Sequence, residues 1–143
     1  MDAAGQLIGI TTAVALSNIG PEGIGFAVPV DIAVGVANDL IENRTVRHAL
    51  MGIVGSTAWA ADASGAEFPV GVLIDEISAG SAYDEAGGQL NDAVVAIGGV
   101  EVHTIDALIA RLRRLRADDT IQVHILRGDS DMTLNVTMGL LNP

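Results

Sequence analysis

The chain has 143 residues, half of them hydrophobic, which is enough material for one ordinary domain or for one domain with an appendage. Its formal net charge of −11 and its aromatic content of 3% argue against a nucleic-acid partner, because such partners are bound through basic surfaces that neutralise phosphates. The absence of cysteine excludes disulfides, thiolate zinc sites and a cysteine nucleophile. The most apolar stretch, residues 24–37, is interrupted by Pro29 and Asp31 and is shorter than the roughly 20 apolar residues that a membrane span needs. We therefore expect a soluble segment that does not contact a membrane.

The first third of the chain predicts two strands and a helix. Apolar residues dominate residues 6–16 and 23–28, and the segment between these runs, "SNIGPEG", is rich in turn residues. A helix is expected to begin at Asp31, because Ile32, Val36 and Leu40 follow at helical spacing. Asn43 is the expected stop, since asparagine tolerates the left-handed conformation that ends many helices.

The remainder of the chain predicts a compact mixture of strands and two helices. Alternation and apolar runs predict strands over residues 52–59, 70–77, 93–97, 120–127 and 132–138. A short helix is expected within residues 79–88, and a longer one from the N-cap Thr104 through Arg116. The segment "GDSD", residues 128–131, is the expected turn of a terminal hairpin.

No group of residues has the pattern of a catalytic or metal site. Ser130 lies in that hairpin turn, without a base beside it or the glycines of an oxyanion hole after it. The three histidines, His48, His103 and His124, lack both metal-ligand spacing and acidic residues four positions further on. We therefore expect no catalytic residue, no metal and no cofactor in this chain.

The segment "LMGIVGS", residues 50–56, is the most informative motif. A glycine between two hydrophobic residues at the start of a strand allows consecutive backbone N–H groups to turn to one side, and such a nest can hold a carboxylate. Met51, Gly52 and Ile53 would supply these N–H groups. The pattern is weak alone, because any strand can contain a glycine between two hydrophobic residues.

The surrounding sequence resembles the PDZ domain, in the permuted form carried by the HtrA (Deg) family of serine proteases. The resemblance runs from about Val46 to Met138, and the segment "GVLIDEISAGSAYDEAGGQLNDAVVAIGGVEV" carries most of it. Three departures stand out. Gly88 replaces a leucine of the family, Asn91 replaces the glycine before Asp92, and residues 83–84 replace Pro-Ala. The missing side chain at Gly88 predicts a softer core at that corner.

The opening segment resembles the part of the same proteases that follows the catalytic serine. The resemblance implies that residues 1–45 are a β-hairpin and linker helix from the end of a trypsin-like barrel, and that residues 46–143 are the PDZ domain. The expected fold is thus α+β, with a partly rolled, mainly antiparallel sheet and two helices in the PDZ part. The catalytic triad of the family would lie before Asp2, so we expect this chain to be an inactive fragment of an extracytoplasmic, cell-envelope protease. The unpaired barrel strands predict association with the PDZ body or with a second copy.

The resemblance also implies what the domain binds and where. Extended peptides, above all the C-termini of unfolded or processed proteins, are expected to add as a strand beside residues 53–56 while their carboxylate sits on the nest. Ile105, Ile109 and Leu112 form one stripe of the second helix, and the family pattern places them along the groove. The family pattern implies that Ile105 reads the ligand residue two before the C-terminal one, so the ligand should end in apolar, any, apolar. The alternative is an assembly or gating element whose groove is filled by its own chain or by a neighbouring subunit. The full set of expected groove residues is Leu50, Met51, Gly52, Ile53, Val54, Gly55, Ser56, Ile105, Ile109 and Leu112.

Overall fold

The computed structural model of the chain describes residues 1–17 and 20–140. The chain divides into two compact units, an N-terminal unit of Met1–Val46 and a C-terminal unit of Arg47–Pro143. The fold class is mixed, with antiparallel sheets and three helices among the described residues, as the sequence predicts.

The N-terminal unit is a hairpin followed by a helix. Strand β1 (Gly9–Ser17) pairs antiparallel with β2 (Gly20–Pro29), and helix α1 spans Val30–Asn43. The predicted turn includes Asn18 and Ile19, which lie outside the described residues.

Both ends of α1 differ in detail from the prediction. The helix begins one residue before Asp31, because Pro29 is the N-cap and its φ of −56° already suits a helix start. Asp31 instead lies in the first turn, where its Oδ1 accepts the Ile32 N–H at 3.0 Å. The helix does end at Asn43, but the left-handed residue is Arg44, with a φ of 59°.

The C-terminal unit is built around one antiparallel sheet. Its strands lie in the order β4-β5-β6-β8-β9, the short β7 pairs with β6, and β3 pairs with β10 at one side. The strands are β3 (Ala49–Leu50), β4 (Ile53–Ala61), β5 (Glu67–Ile77), β6 (Ala93–Ile97), β7 (Val100–Glu101), β8 (Thr120–Arg127), β9 (Ser130–Thr137) and β10 (Gly139–Leu140), with helices α2 (Ala82–Glu85) and α3 (Ile105–Leu112).

The hairpin of β4 and β5 is longer than predicted. The segment between the two predicted strands, residues 60–69, shrinks to a loop of residues 62–66, which the side chain of Asp62 organises. Asp62 Oδ1 accepts the N–H groups of Ser64 at 2.8 Å and Ala66 at 3.0 Å. The Ser64 hydroxyl and these N–H groups lower the pKa of Asp62 below its ordinary value.

Helix α3 is shorter than predicted, ending at Leu112 instead of Arg116. The Arg114 and Leu115 N–H groups donate to carbonyls three residues earlier, so the last turn tightens and the helix stops. The chain then bends, so that the backbone of Arg116 forms an isolated antiparallel β-bridge with His48 and the buried Ala117 donates its N–H to the Arg47 carbonyl. A helix continued to Arg116 could not make this return.

The core of the C-terminal unit lies between one face of the sheet and the two helices. Leu108 of α3 and Tyr83 of α2 are fully buried against alternate residues of the strands. The fully buried strand residues are Val72, Ile74, Val94, Ile97, Val123, Ile125 and Val136.

The prediction of a softer corner at Gly88 is wrong. Tyr83 is completely buried, and a Cβ atom at Gly88 would lie 2.2 Å from its ring. The tyrosine ring therefore occupies the space that the missing leucine side chain would have filled, and the two departures from the family pattern compensate each other.

Candidate functional site

The loop that precedes β4 turns two backbone N–H groups away from the body of the unit. The Tyr83 N–H donates to the Met51 carbonyl at 3.1 Å, and the Ser78 N–H donates to the Gly52 carbonyl at 2.9 Å. In a trans peptide the N–H of the next residue points opposite to the carbonyl, and the described residues contain no cis bond. The Gly52 and Ile53 N–H groups therefore point away from Ser78 and Tyr83.

Gly52 is required at its position by both conformation and space. Its φ is +78°, in the left-handed region that glycine adopts readily. A Cβ atom there would lie 2.2 Å from Ser81 Cβ and 2.9 Å from Ser81 Oγ. Ser81 is the N-cap of α2, and its Oγ accepts the Asp84 N–H. The loop thus rests directly on the start of α2.

Strand β4 presents an open edge. It is the terminal strand of the sheet order, and no described strand pairs with its outer side. Because the Gly52 carbonyl is directed towards β5, alternation along the strand directs the backbone groups of Ile53, Gly55 and Thr57 outward. The two register shifts in the β4–β5 pairing skip Asp75 and Val70 of β5, so β4 itself contains no extra residue.

Gly55 is needed because β5 approaches closely. A Cβ atom at Gly55 would lie 2.7 Å from the Leu73 carbonyl oxygen and 3.0 Å from Val72 Cγ1. The glycine therefore permits close pairing with β5, and no side chain projects from the face of β4 at this point.

Helix α3 begins beside the middle of this strand. The Ile105 N–H donates to Thr57 Oγ1 at 3.1 Å, and Thr104 caps the helix by accepting the Ala107 N–H at 3.2 Å. Thr57 was not among the expected groove residues. Its signal in the sequence is weak, since its partner is 48 residues away.

The predicted stripe of α3 divides between core and surface. Ile105 and Leu112 are partly buried and pack against the core, whereas Ile109 is 40% exposed. Leu108, on the neighbouring stripe, is the helix residue that is fully buried. Ile109 is therefore the most accessible of the three expected groove residues on α3.

The other expected groove residues lie in three different places. Met51 is 2% exposed, so its side chain belongs to the core. Leu50 lies in β3, where it pairs with Gly139 of β10. Val54 and Ser56 are exposed, and strand alternation places their side chains on the face opposite to Thr57 and their backbone groups towards β5. Ile53 and Gly55 thus share the face of β4 on which Thr57 contacts α3, whereas Val54 and Ser56 lie on the other face.

A buried polar network holds α2, and through it the loop, in position. Arg127 donates to both carboxylate oxygens of the fully buried Asp92, from Nε at 2.7 Å and from Nη2 at 2.8 Å. The same carboxylate accepts the Gln89 N–H at 2.8 Å and the Tyr83 hydroxyl at 3.0 Å. Because the Tyr83 N–H also holds the Met51 carbonyl, this network fixes the base of the loop.

The network sets the protonation states of its members. Burial alone would raise the pKa of Asp92, but the hydrogen bonds from Arg127, Gln89 and Tyr83 outweigh burial and lower that pKa below its ordinary value. Burial, reinforced by the hydrogen bond to Asp92, raises the pKa of Tyr83. The network therefore consists of a carboxylate, a guanidinium and a neutral phenol at neutral pH.

The site consists of an open strand edge, a nest-forming glycine at the start of that strand and a helix beside it. Comparison with known families shows which family a chain with these features belongs to. The profile of the family described as "PDZ domain" matches residues 32–138. The chain belongs to the PDZ domain family. The match begins inside α1 and ends just before β10.

The relatives and solved structures similar to this PDZ chain include HtrA-type serine proteases, as the sequence resemblance predicts. It is 33% identical over 140 residues to a probable periplasmic serine endoprotease DegP-like of Rhizobium meliloti (strain 1021), covering 96% of this chain and 28% of the relative. It is 29% identical over 136 residues to the periplasmic pH-dependent serine endoprotease DegQ of Escherichia coli (strain K12), covering 94% of this chain and 30% of the relative. A solved structure of a variant of the HtrA-type protease AlgW with a decapeptide has a TM-score of 0.72 and 27% identity, covering 99% of this chain and 44% of the other.

The chain thus spans about a third of the length of these curated relatives. Among the described residues, no helix is long and apolar enough to cross a membrane.

Proposed function

We propose that this PDZ domain binds the C-termini of extended peptides by adding them as a strand to the open edge of β4. The proposal rests on the direction of two backbone N–H groups in the loop. The Gly52 and Ile53 N–H groups point away from the body of the unit, at the start of an unpaired strand edge. A terminal carboxylate fits this nest, with the Met51 N–H as a third donor. Hydrogen bonds to a charged group contribute about 1.5–3 kcal/mol each. A short peptide should therefore bind with about micromolar affinity, or roughly −8 kcal/mol.

The register of the bound peptide follows from the carboxylate. With the C-terminal residue opposite Ile53, an antiparallel peptide places the residue two before it opposite Gly55. Gly55 carries no side chain, so this ligand residue can approach Ile105 at the start of α3. Leu112 and the partly exposed Ile109 line the same side, together with Ile53. Peptides ending in apolar, any, apolar are the proposed ligands.

The parent protein is proposed to be a serine protease of the cell envelope that the PDZ domain directs or activates. Two relatives named as periplasmic serine endoproteases support this setting, and the AlgW structure with a decapeptide supports peptide recognition in the family. The chain itself is proposed to lack peptidase activity, because no serine, histidine and carboxylate in its sequence have the pattern of a catalytic triad.

The N-terminal unit is proposed to form an oligomer contact. Ile10, Val14, Ile24 and Phe26 of its hairpin are all about half exposed or more. Exposed apolar side chains on a two-stranded ribbon favour association with another surface.

Recovery of bound peptides distinguishes peptide recognition from the alternative role as an assembly or gating element. The chain is immobilised, incubated with an extract of denatured and proteolysed proteins, and the C-termini of the retained peptides are sequenced. Peptide recognition predicts enrichment of apolar residues at the last and third-from-last positions. A groove filled by its own chain or by a neighbouring copy predicts retained peptides with no positional preference. That result would exclude the proposed function.

A further inference from the structure

The β4–β5 hairpin extends beyond the helix that borders the groove. Helix α3 begins at Ile105, which contacts Thr57, but β4 continues for four further residues to Ala61. On the other side, β5 pairs with β6 only at Val72 and Leu73. The outer half of the hairpin is therefore a two-stranded ribbon with an edge that continues the groove.

Trp59, the single tryptophan of the chain, lies on this extension and is 60% exposed. It follows Thr57 by two residues, so strand alternation places its side chain on the face that carries α3 and its backbone groups on the open edge. Its partner across the hairpin is Pro69. Trp59 is thus an uncovered apolar surface on the groove side, immediately past the start of α3.

We propose that Trp59 is a second anchoring contact of the groove and binds a large apolar side chain six residues before the C-terminal residue of the ligand. The position follows from counting along β4, which contains no bulge residue of its own: the terminal residue lies opposite Ile53 and the residue six before it lies opposite Trp59. The inference rests on the proposed groove, and it increases the number of ligand residues that the groove recognises from three to seven. The outward backbone groups of Gly55, Thr57 and Trp59 extend the same ladder, so the peptide reaches Trp59 without leaving the strand edge.

The second exposed aromatic of the hairpin provides the matched control. Phe68 is 46% exposed and lies opposite Ala60, so its ring is on the other face of the ribbon from Trp59. Phe68→Ala removes an aromatic ring from the same hairpin without changing the groove side.

The experiment compares three peptides with the same free C-terminus: a long one with leucine six residues before the end, the same peptide with alanine there, and the last four residues alone. Because Trp59 is the only tryptophan, its fluorescence reports on its own burial. We expect a blue shift and protection from acrylamide with the leucine peptide only, and about tenfold tighter binding of that peptide than of the other two. Trp59→Ala should abolish this advantage and Phe68→Ala should retain it.

The outcomes separate this inference from the proposed function. Binding of all three peptides with equal affinity and unchanged emission would leave the groove in place and overturn the role of Trp59. Absence of binding by every peptide, the short one included, would remove the groove and the inference with it. A blue shift that depends on protein concentration without peptide would show that a second copy covers Trp59, which also overturns the inference. The wild-type fluorescence decides the question even if Trp59→Ala fails to fold.

Discussion

Gly52 is the residue on which the loop geometry depends most directly. An alanine there would combine a positive φ with a Cβ atom 2.2 Å from Ser81 Cβ. Gly65 provides the control, because its φ is +83° but a Cβ atom there would meet nothing within 4 Å. We expect Gly65→Ala to lower the free energy of unfolding by about 1 kcal/mol from strain alone, and Gly52→Ala to lower it by about 1–3 kcal/mol more from the clash. Urea denaturation measures both values, and equal losses would contradict the close contact with Ser81.

Asp92 makes the stability of the fold depend on pH in a defined direction. Its native pKa lies below the ordinary value of 3.8, so the unfolded chain binds more protons as the pH falls through this range. The stabilising contribution of Asp92 is therefore complete above about pH 4 and is lost as the pH falls through the lowered native pKa.

Denaturation from pH 7 downwards tests this linkage by comparing the wild type with Asp92→Asn. The variant should be less stable at neutral pH, because Arg127 loses its charged partner, and the difference between the two proteins should shrink below about pH 4. Asp75→Asn, at an exposed position of β5, is the control for removing a carboxylate. A difference for Asp92→Asn that stays constant over this range would contradict a lowered native pKa.

At the scale of elements, strand alternation and capping residues predicted the longer strands and the helices, but not the two-residue strands β3, β7 and β10 nor where all of the elements end. Thr104 caps α3 as its sequence context predicts. The end of α3 was missed because it depends on the bridge between Arg116 and His48, which are 68 residues apart in the sequence. The acidic neighbours of two histidines likewise depend on contacts that the i, i+4 pattern does not reveal. His124 contacts Asp131 across the β8–β9 hairpin, and His103 lies 3.5 Å from Glu101, whereas helical spacing was the pattern considered.

Only part of the candidate site was predictable from the sequence, and the physical reason differs from residue to residue. A glycine between hydrophobic residues signals the loop because its backbone conformation is local. Which side chains face α3 depends on the side of β4 that pairs with β5, and residues 50–56 alone do not determine it. Val54 and Ser56 were therefore included, while Thr57 and Trp59 were not.

The first turn of α3 should set the specificity for the ligand residue two before the C-terminal one. Ile105 can neither donate nor accept a side-chain hydrogen bond, so burying a ligand hydroxyl there costs about 1–3 kcal/mol. Ile105→His should shift the preference at this ligand position from apolar residues to serine or threonine. An array of C-terminal peptides measures the shift. Ala110→His, on the exposed side of the same helix, should leave the preference unchanged, and an equal shift in both variants would place this ligand residue elsewhere.

At the scale of the whole molecule, the two units differ in how much apolar surface they leave open. Phe26 is 56% exposed in the hairpin of the N-terminal unit. We expect the chain to form a dimer or larger species through this hairpin, and Phe26→Lys to shift the equilibrium towards monomer. Sedimentation over a range of protein concentrations measures this equilibrium. A monomer at every concentration, with freely exchanging amide protons in β1 and β2, would contradict association through the hairpin.

The capture of a terminal carboxylate by the loop is the central claim, and amidation of the ligand tests it most directly. Two peptides of the same apolar sequence, one with a free C-terminus and one amidated, are titrated into the chain by calorimetry. The free peptide should bind with about micromolar affinity, and the amidated one at least about tenfold more weakly, since a loss of about 1.4 kcal/mol is enough for that difference. Equal affinity for the two peptides would contradict the assignment of the Gly52 and Ile53 N–H groups as the carboxylate site.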